Sequence, residues 1–273
     1  MTDQAERYDR IAAGYEKWWA PVLAPSALRL LDWLDADVEA GAKDVVDVGV
    51  GTGNLAIPAL RRWPTVSVTG VDASREMIGA VETLVAERQP GDRGRFSGTV
   101  AFAAEMPFSD ASFDLAMSSF VLQLVPSRSR ALREIRRVLR PNSRFAFVTW
   151  LVDERSFAPD RVFDTLLDEF GFDNDVDPPR SGDLPSVERA AAELRRAGFK
   201  DVTASGAILD HAFTVDSYIS FLTEFDEETL FEDMGRSERH RFLARFRERL
   251  MALDPDELHF RVPIVYASGR RSS

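Results

Sequence analysis

Short apolar runs alternate with longer segments of helical periodicity between residues 44 and 150. That alternation is typical of a parallel sheet covered by helices. Helical spacing of apolar residues predicts helices over Ser74–Arg88 and Arg128–Leu139, and Pro141-Asn142 is expected to end the second one. The predicted strands are Asp44–Val48, Val66–Val71, Val100–Ala103, Asp114–Ser118 and Arg144–Trp150.

The segments outside this core predict a helical N-terminus and two insertions. Residues 1–40 have helical character and many aromatic side chains, so we expect them to form a lid. Residues 151–185 end in a turn-rich loop and residues 210–258 are mainly helical, which indicates insertions on the substrate side of the core. A helix after Ser186 and strands at Val202–Leu209 and Val262–Ser268 complete the pattern. We therefore predict a single domain, 1–273, built on a core at 41–150.

The composition of the chain limits the kinds of molecule that it is expected to bind. The formal net charge of −11 disfavours a polynucleotide substrate, because nucleic-acid affinity depends on Lys and Arg neutralising phosphates. The chain has no cysteine, which excludes disulfides and a cysteine nucleophile. It also lacks the roughly 18 uninterrupted apolar residues of a membrane helix. These features predict a cytoplasmic protein without a membrane partner, and they leave its oligomeric state open.

The most informative motif is the glycine-rich turn in the segment Val45–Ala56. A buried strand leads into Gly49-Val50-Gly51-Thr52-Gly53, and a helix follows. Glycines are expected where a ligand lies against bare backbone at a helix N-terminus, because a Cβ would collide with it. A tight turn alone also favours glycine, so the motif indicates a ligand site only when the neighbouring residues support one.

Two acidic residues supply that context. Asp47 ends the first strand, where a carboxylate would repel a pyrophosphate but attract the ammonium of a methionine moiety. Asp72 follows the second strand, about twenty residues beyond the glycines, where an acid can accept hydrogen bonds from both ribose hydroxyls. The alternative role for Asp72 is capping of the next helix. Together the two acids favour a cationic nucleoside ligand.

The sequence resembles the class I methyltransferases that use S-adenosylmethionine, in particular the ubiquinone and menaquinone biosynthesis branch, methyltransferase type 11. Besides the glycine turn and Asp72, the matching blocks are Tyr8–Glu16, Met106-Pro107-Phe108, Ser112–Leu115 and Arg133–Asn142, with Asn142-Ser143 in place of the usual Gly-Gly. The resemblance covers most of residues 6–150. It implies an α/β, Rossmann-like, doubly wound sheet of seven mostly parallel strands with an antiparallel last strand and helical cap insertions.

The resemblance also implies roles for individual residues. The methyl group of S-adenosylmethionine would pass by in-line displacement to a small-molecule acceptor, leaving S-adenosylhomocysteine, and no metal is expected. Candidates for catalysis are Tyr15, Gln123 and His211. Gln123 stands where many relatives carry histidine, an exchange that removes a general base. Expected cofactor contacts are Tyr15, Asp47, Gly49, Gly51, Gly53, Asp72, Ala73, Ala104, Glu105 and Ser118. Expected acceptor contacts are Trp18, Trp19, Phe120, Gln123 and Trp150.

One departure concerns adenine. The family usually carries an aspartate five residues before the proline, but Phe102 stands there, or, with a one-residue gap, Ala103-Ala104. Adenine recognition is then expected to depend on backbone groups near Ala104 and Glu105, or on the Glu105 carboxylate, with a loss of roughly 1 to 3 kcal/mol in the free energy of cofactor binding.

Two other classes of protein stay open: a non-catalytic cofactor-binding or scaffold protein, and an NAD-dependent oxidoreductase.

Overall fold

One sheet organises the computed structural model of the chain, which describes residues 14–172 and 182–272. Its seven strands are β1 Asp44–Val48, β2 Ser67–Asp72, β3 Phe96–Val100, β4 Phe113–Ser119, β5 Leu139–Trp150, β6 Phe199–Ala212 and β7 His259–Arg271. They lie in the order β3-β2-β1-β4-β5-β7-β6. Neighbours from β3 to β5 are parallel, and β7 is antiparallel to β5. The predicted Rossmann-like fold is confirmed.

The central strands are buried on both faces. Val45, Val46 and Val48 of β1 are inaccessible to solvent, and six consecutive residues at the end of β5 are buried. Such continuous apolar strands are expected when helices cover both sides of a parallel sheet. The core of the fold therefore lies around β1, β4 and β5, and the carboxyl ends of the parallel strands meet at one edge.

The chain divides into two compact units. The first comprises the described residues of 1–152, 180–207 and 264–273. Its helices cover the sheet, and Leu132, Ile135 and Val138 pack in the same core cluster as Phe145 and Phe147. The helical segments of this unit are Tyr15–Trp19, a π-helix, followed by Ala20–Leu31, Asp35–Glu39, Ala56–Arg62, Arg75–Arg88, Pro90–Arg95, Arg128–Val138 and Val187–Arg196.

The second unit comprises the described residues of 153–179 and 208–263. Its described helical segments are Ala158–Phe170, Val215–Phe221, Leu222–Asp226, Glu228–Asp233, Arg236–Met251 and Pro255–Leu258. The ring of Phe163 packs against those of Phe231, Phe242 and Phe246 at centroid distances of 5.5 to 6.0 Å. Arg249 pairs with Glu169 at 2.7 Å. The apolar spacing of the last long helix thus fills the core of this unit, while Arg249 makes a surface ion pair.

One predicted strand was misplaced, and the bounds of one predicted helix differ by a single residue. The strand expected at Val100–Ala103 is β3, which ends at Val100. The helix that begins at Arg128 ends at Val138, and β5 starts at Leu139, two residues before Pro141. Leu139 pairs with Phe113 before the register shifts. The helix therefore ends one residue before its predicted end, where strand pairing begins, and Pro141 lies just beyond it.

Parts of two sequence predictions lie outside the described residues: the first part of the Tyr8–Glu16 block and most of the turn-rich loop before residue 185. Across residues 14–172 and 182–272, every helix is too short or too polar to cross a membrane.

Candidate functional site

A cleft opens at the carboxyl edge of the sheet, within the first compact unit. Its lining comes from the ends of four strands and the segments that follow them: Asp47 and the glycine turn at β1, residues 71–73 at β2, residues 101–103 after β3, and residues 119–121 and 124–126 at β4. Tyr15 from the N-terminal segment also lines it. The chain runs outward from β1 to β3 and then crosses to β4, so the order of strands reverses beside β1. Ligands of open α/β sheets bind in the crevice at such a reversal. We call this the edge cleft.

The three glycines of the turn have different roles. All three have left-handed φ angles, +75° at Gly49, +52° at Gly51 and +93° at Gly53. A Cβ on Gly49 would lie 2.1 Å from Val121 Cγ2, and one on Gly53 would lie 2.8 Å from Val81 Cγ2. On Gly51 the nearest atom would be Tyr15 Cε1, 4.0 Å away. Bare backbone therefore faces open space at Gly51, whereas Gly49 and Gly53 are glycines because protein atoms pack against them.

Asp47 is the buried acid of the edge cleft. Only 1% of the residue is exposed, and its Oδ2 atom has no hydrogen-bond partner in the described parts of the chain. Burial raises the pKa of Asp47 to about 8, although a hydrogen bond from the Ala56 backbone lowers it, and the charge of Asp72 raises it further. An unpaired carboxyl oxygen on a residue that lines a cleft can accept a hydrogen bond from an ammonium group.

Asp72 is half-buried at the end of β2. Its carboxylate accepts hydrogen bonds from the backbone N–H groups of Gly51, at 2.9 Å, and Ser74, at 3.0 Å. The helix Arg75–Arg88 is capped by the Ser74 hydroxyl, which accepts from the Met77 N–H at 3.0 Å. Capping, the alternative role for Asp72, therefore belongs to Ser74, and Asp72 joins the glycine turn to the next strand end.

The N-terminal segment reaches the edge cleft through Tyr15 and Asn54. Tyr15 begins the π-helix and lies over Gly51. Asn54 lines the cleft, and its side-chain N–H donates to the Ala20 carbonyl at 2.9 Å. Sequence analysis missed this role of Asn54, although a polar residue directly after the glycine turn was a usable signal. The hydrogen bond holds the start of the helix Ala20–Leu31 against the turn.

The wall after β4 is strained and aromatic. Phe120 has a φ of +55°, an uncommon value for a bulky residue. Its ring lies 4.4 Å from that of Trp150, centroid to centroid, and Trp19 lies 6.4 Å from Trp150. Phe120 lines the edge cleft, whereas Trp150 is 3% exposed and supports it from behind. Three of the residues predicted to contact the acceptor are thus brought together.

Gln123 holds this wall in place. Its side-chain N–H group donates to the Phe120 carbonyl at 2.6 Å, and its side-chain oxygen accepts from the Thr149 hydroxyl at 2.6 Å. Thr149 is completely buried. An amide with both ends bonded in this way fixes the backbone of its neighbour and does not abstract protons. Gln123 therefore positions the backbone of Phe120 but does not itself line the edge cleft, and its predicted catalytic and acceptor-binding roles stay predictions.

The segment after β3 is anchored from the helix Arg128–Val138. The Glu134 carboxylate accepts from the Met106 N–H at 2.8 Å, and the Arg137 guanidinium donates to the Phe108 carbonyl at 2.8 Å. The hydrogen bond from Arg137 lowers the pKa of Glu134. Two sequence blocks that carry the family resemblance are therefore joined by direct contact in the fold.

Several predicted contacts lie elsewhere. Ala104 and Glu105 do not line the edge cleft, and the Glu105 N–H donates to the Phe102 carbonyl at 2.9 Å. Ser118 is buried and donates to the Val48 carbonyl at 2.7 Å, so the serine at the cleft is the adjacent Ser119. The reason is the alternation of side chains along β4, which turns Ser118 into the sheet interior.

Trp18 and His211 complete the predicted set. The Lys17 ammonium lies over the Trp18 ring, 4.6 Å from its centroid. His211 belongs to the second compact unit, where its ring packs edge-on against Phe213 at 4.6 Å. Burial lowers the pKa of His211, against the opposing charge of Asp210. The catalytic roles of His211 and Tyr15 stay predictions. In the described parts of the chain, no group of three or more acidic or histidine side chains could hold a metal ion.

The residues of the edge cleft fit S-adenosylmethionine. The unpaired oxygen of Asp47 suits the ammonium of a methionine moiety, and open backbone at Gly51 lets a ligand approach closely. Asp72 stands at the end of the neighbouring strand, where an acid binds ribose hydroxyls. Ala73 lines the cleft beside it.

Comparisons with known proteins agree with this fit. Residues 46–147 match the model of a methyltransferase domain family. The chain is 39% identical over 101 residues to a ubiquinone/menaquinone biosynthesis C-methyltransferase of Geotalea daltonii, covering 37% of this chain and 42% of that protein. It is 28% identical over 217 residues to the enzyme of the same description from Geobacter sulfurreducens, covering 74% and 79%. The first alignment thus spans less than half of its relative.

A solved structure supports the fold. A phosphoethanolamine N-methyltransferase of Haemonchus contortus, in complex with S-adenosyl-L-methionine, superposes with a TM-score of 0.53 at 18% identity. The match covers 90% of this chain and 52% of that one.

Proposed function

We propose that the protein transfers the methyl group of S-adenosylmethionine, bound in the edge cleft, to a small, uncharged and apolar acceptor. This proposal follows because the chain belongs to the class I S-adenosylmethionine-dependent methyltransferases. The observation that carries this proposal is the unpaired oxygen of buried Asp47, which lies in one cleft with Asp72 and the open backbone of Gly51. Together these groups match the ammonium, the ribose and the close approach of such a cofactor.

The acceptor class follows from the wall after β4. Phe120, Val121, Leu124, Val125 and Pro126 line this side of the edge cleft. No charged side chain of the described lining comes from this segment, so a charged acceptor would lose hydration without gaining an ion pair. An apolar acceptor, in contrast, gains roughly 25 cal/mol for each Å² of apolar surface it buries.

The residues of the chain mainly position and shield the reactants. S-adenosylmethionine supplies an electrophilic methyl group when bound. Asp47 would hold the ammonium of the cofactor and Asp72 its ribose, while Gln123 keeps Phe120 in the conformation that forms the acceptor wall. Holding two reactants in line can contribute roughly 7 to 11 kcal/mol, so no strong acid and base pair is required.

We further propose that residues 1–40 act as the lid expected from the sequence. Tyr15 over Gly51 and the bond from Asn54 to Ala20 support a lid that rests on the glycine turn. Lids commonly shield reacting groups from water. Backbone hydrogen exchange at residues 14–20 should slow when S-adenosylhomocysteine is added. Equal exchange in the free and bound protein would reject the lid.

The expected cytoplasmic location is also a proposal, which cell fractionation tests.

Transfer of labelled methyl groups tests the function. The purified chain is incubated with methyl-labelled S-adenosylmethionine and a metabolite extract split into apolar and polar fractions. We expect label to enter a compound of the apolar fraction, and the Asp72→Ala variant should lose most of this transfer. A protein that binds S-adenosylhomocysteine but labels neither fraction would instead be a non-catalytic binding protein. Label confined to a charged acceptor would refute the proposed acceptor class.

A further inference from the structure

The order of strands sets the order of ligand groups along the edge cleft. Asp47 marks the end of β1, Asp72 the end of β2, and residues 101–103 follow β3 at the edge of the sheet. A nucleoside whose ribose binds at Asp72 and whose amino acid moiety binds at Asp47 must extend its base away from β1. The base therefore reaches the segment after β3. This step rests on the proposed function.

The side chains that line this end of the described cleft, where the base would bind, are apolar. They are Val71, Ala73, Met77, Ala101, Phe102 and Ala103. The nearest acid in sequence, Glu105, does not line the cleft, and its backbone N–H is already bonded to the Phe102 carbonyl. Five of these side chains are hydrocarbons that cannot accept a hydrogen bond from an amino group on a purine, and the sulfur of Met77 is only a weak acceptor.

Phe102 is the largest of these side chains and is poorly covered by the protein. It is 42% exposed, although it lines the cleft. An aromatic ring left partly open to solvent beside a ligand site can bury its face against a planar base, and contacts of this kind tolerate any base because every base has a π-face.

We propose that Phe102 binds the purine of the cofactor by apolar contact and that no side chain of the described residues reads its 6-amino group. Phe102 then contributes affinity for the base without discriminating between bases. The protein should bind nucleosides that lack the 6-amino group almost as well as it binds the adenine form. Affinity at this end of the cleft comes from the area of the base and not from a polar contact.

Calorimetric titration with two ligands tests this inference. The probes are S-adenosylhomocysteine and its purine analogue without the 6-amino group. For the unmodified chain we expect the two dissociation constants to agree within about threefold. The Phe102→Ala variant should weaken both ligands by a similar factor, between about fivefold and a hundredfold, which is the range of base–aromatic contacts. The Phe102→Asp variant, which adds an acceptor, should bind the amino-bearing ligand preferentially.

Val100→Ala is the matched control, because Val100 is also apolar and 42% exposed but does not line the cleft. It should bind both ligands as the unmodified chain does. A discrimination above threefold in the unmodified chain, or unchanged binding in a folded Phe102→Ala variant, would overturn the inference alone. Absence of binding by S-adenosylhomocysteine in the unmodified chain would overturn the proposed function as well.

Discussion

Asp47 lies near enough to Asp72 for the charge of Asp72 to oppose ionisation of the Asp47 carboxyl, in addition to the larger effect of burial. With a pKa of about 8, Asp47 is mostly protonated at pH 7 in the free protein. The ammonium of a bound cofactor favours the ionised form instead. Cofactor binding and proton release are therefore coupled at this residue.

Calorimetry measures the coupling. We expect binding of S-adenosylhomocysteine at pH 7 to release about one proton, and affinity to increase as pH rises from about 6 to about 8, because the ligand selects ionised Asp47. The proton count comes from heats measured in two buffers of different ionisation enthalpy. The Asp47→Asn variant should bind more weakly and lose this proton release. Identical heats in both buffers for the unmodified chain would contradict the role of Asp47.

Substitution of Asp72 should affect the ligand more than the fold. We expect Asp72→Asn to weaken the binding of S-adenosylhomocysteine by about tenfold to a hundredfold, because charge-assisted hydrogen bonds to the ribose are lost. Asp72→Ala should also lower the melting temperature, since the N–H groups of Gly51 and Ser74 lose their acceptor. Glu87→Ala, an exposed acid on the following helix, is the control for net charge. A dissociation constant unchanged by Asp72→Asn refutes the assignment.

Substitutions at two glycines of the turn should distinguish an effect on stability from an effect on ligand binding. Gly49→Ala places a Cβ 2.1 Å from Val121 Cγ2 and should destabilise the protein strongly. Gly51→Ala meets no atom closer than 4.0 Å, so it should cost about 1 to 2 kcal/mol of backbone strain but weaken S-adenosylhomocysteine at least about tenfold. Gly171→Ala is the control for strain, since its φ is +76° and its Cβ meets nothing within 4 Å. Full affinity in Gly51→Ala would show that no ligand lies there.

Thr149→Val tests the wall after β4. The substitution leaves the side-chain oxygen of Gln123 without its 2.6 Å hydrogen bond at a buried position. We expect the free energy of unfolding to fall by about 1 to 3 kcal/mol in urea denaturation. Thr83→Val removes an exposed hydroxyl that bonds the Gly79 carbonyl and should cost much less. Equal losses for the two variants would mean that Gln123 does not depend on Thr149.

The sequence predicted the fold and the centre of the site better than the periphery of the site. The bounds of β1 were predicted correctly, because Val45, Val46 and Val48 form an apolar run and the glycine turn follows directly after it. β3 was displaced because it lies at the sheet edge and its Ser97-Gly98-Thr99 centre has little apolar signal. Edge strands are half-covered, so burial leaves a weaker pattern in them.

Side-chain direction explains the other differences. Ser118 and Ser119 are equivalent in composition, and only the register of β4 against its neighbours decides that Ser119 faces the cleft. The separate roles of Gly49 and Gly51 depend on Val121, which is about seventy residues away in sequence and adjacent only after folding. Contacts of this kind leave no local signal in a single sequence.

The most direct test of the account is a titration of the purified chain with S-adenosylhomocysteine, followed by calorimetry and by thermal melting. We predict one site per chain with a dissociation constant between low micromolar and sub-millimolar values, and a higher melting temperature, because a ligand that binds only the native state stabilises it. NAD should give no comparable shift. The absence of both heat and a melting shift at millimolar S-adenosylhomocysteine would contradict the central claim that the edge cleft binds this cofactor.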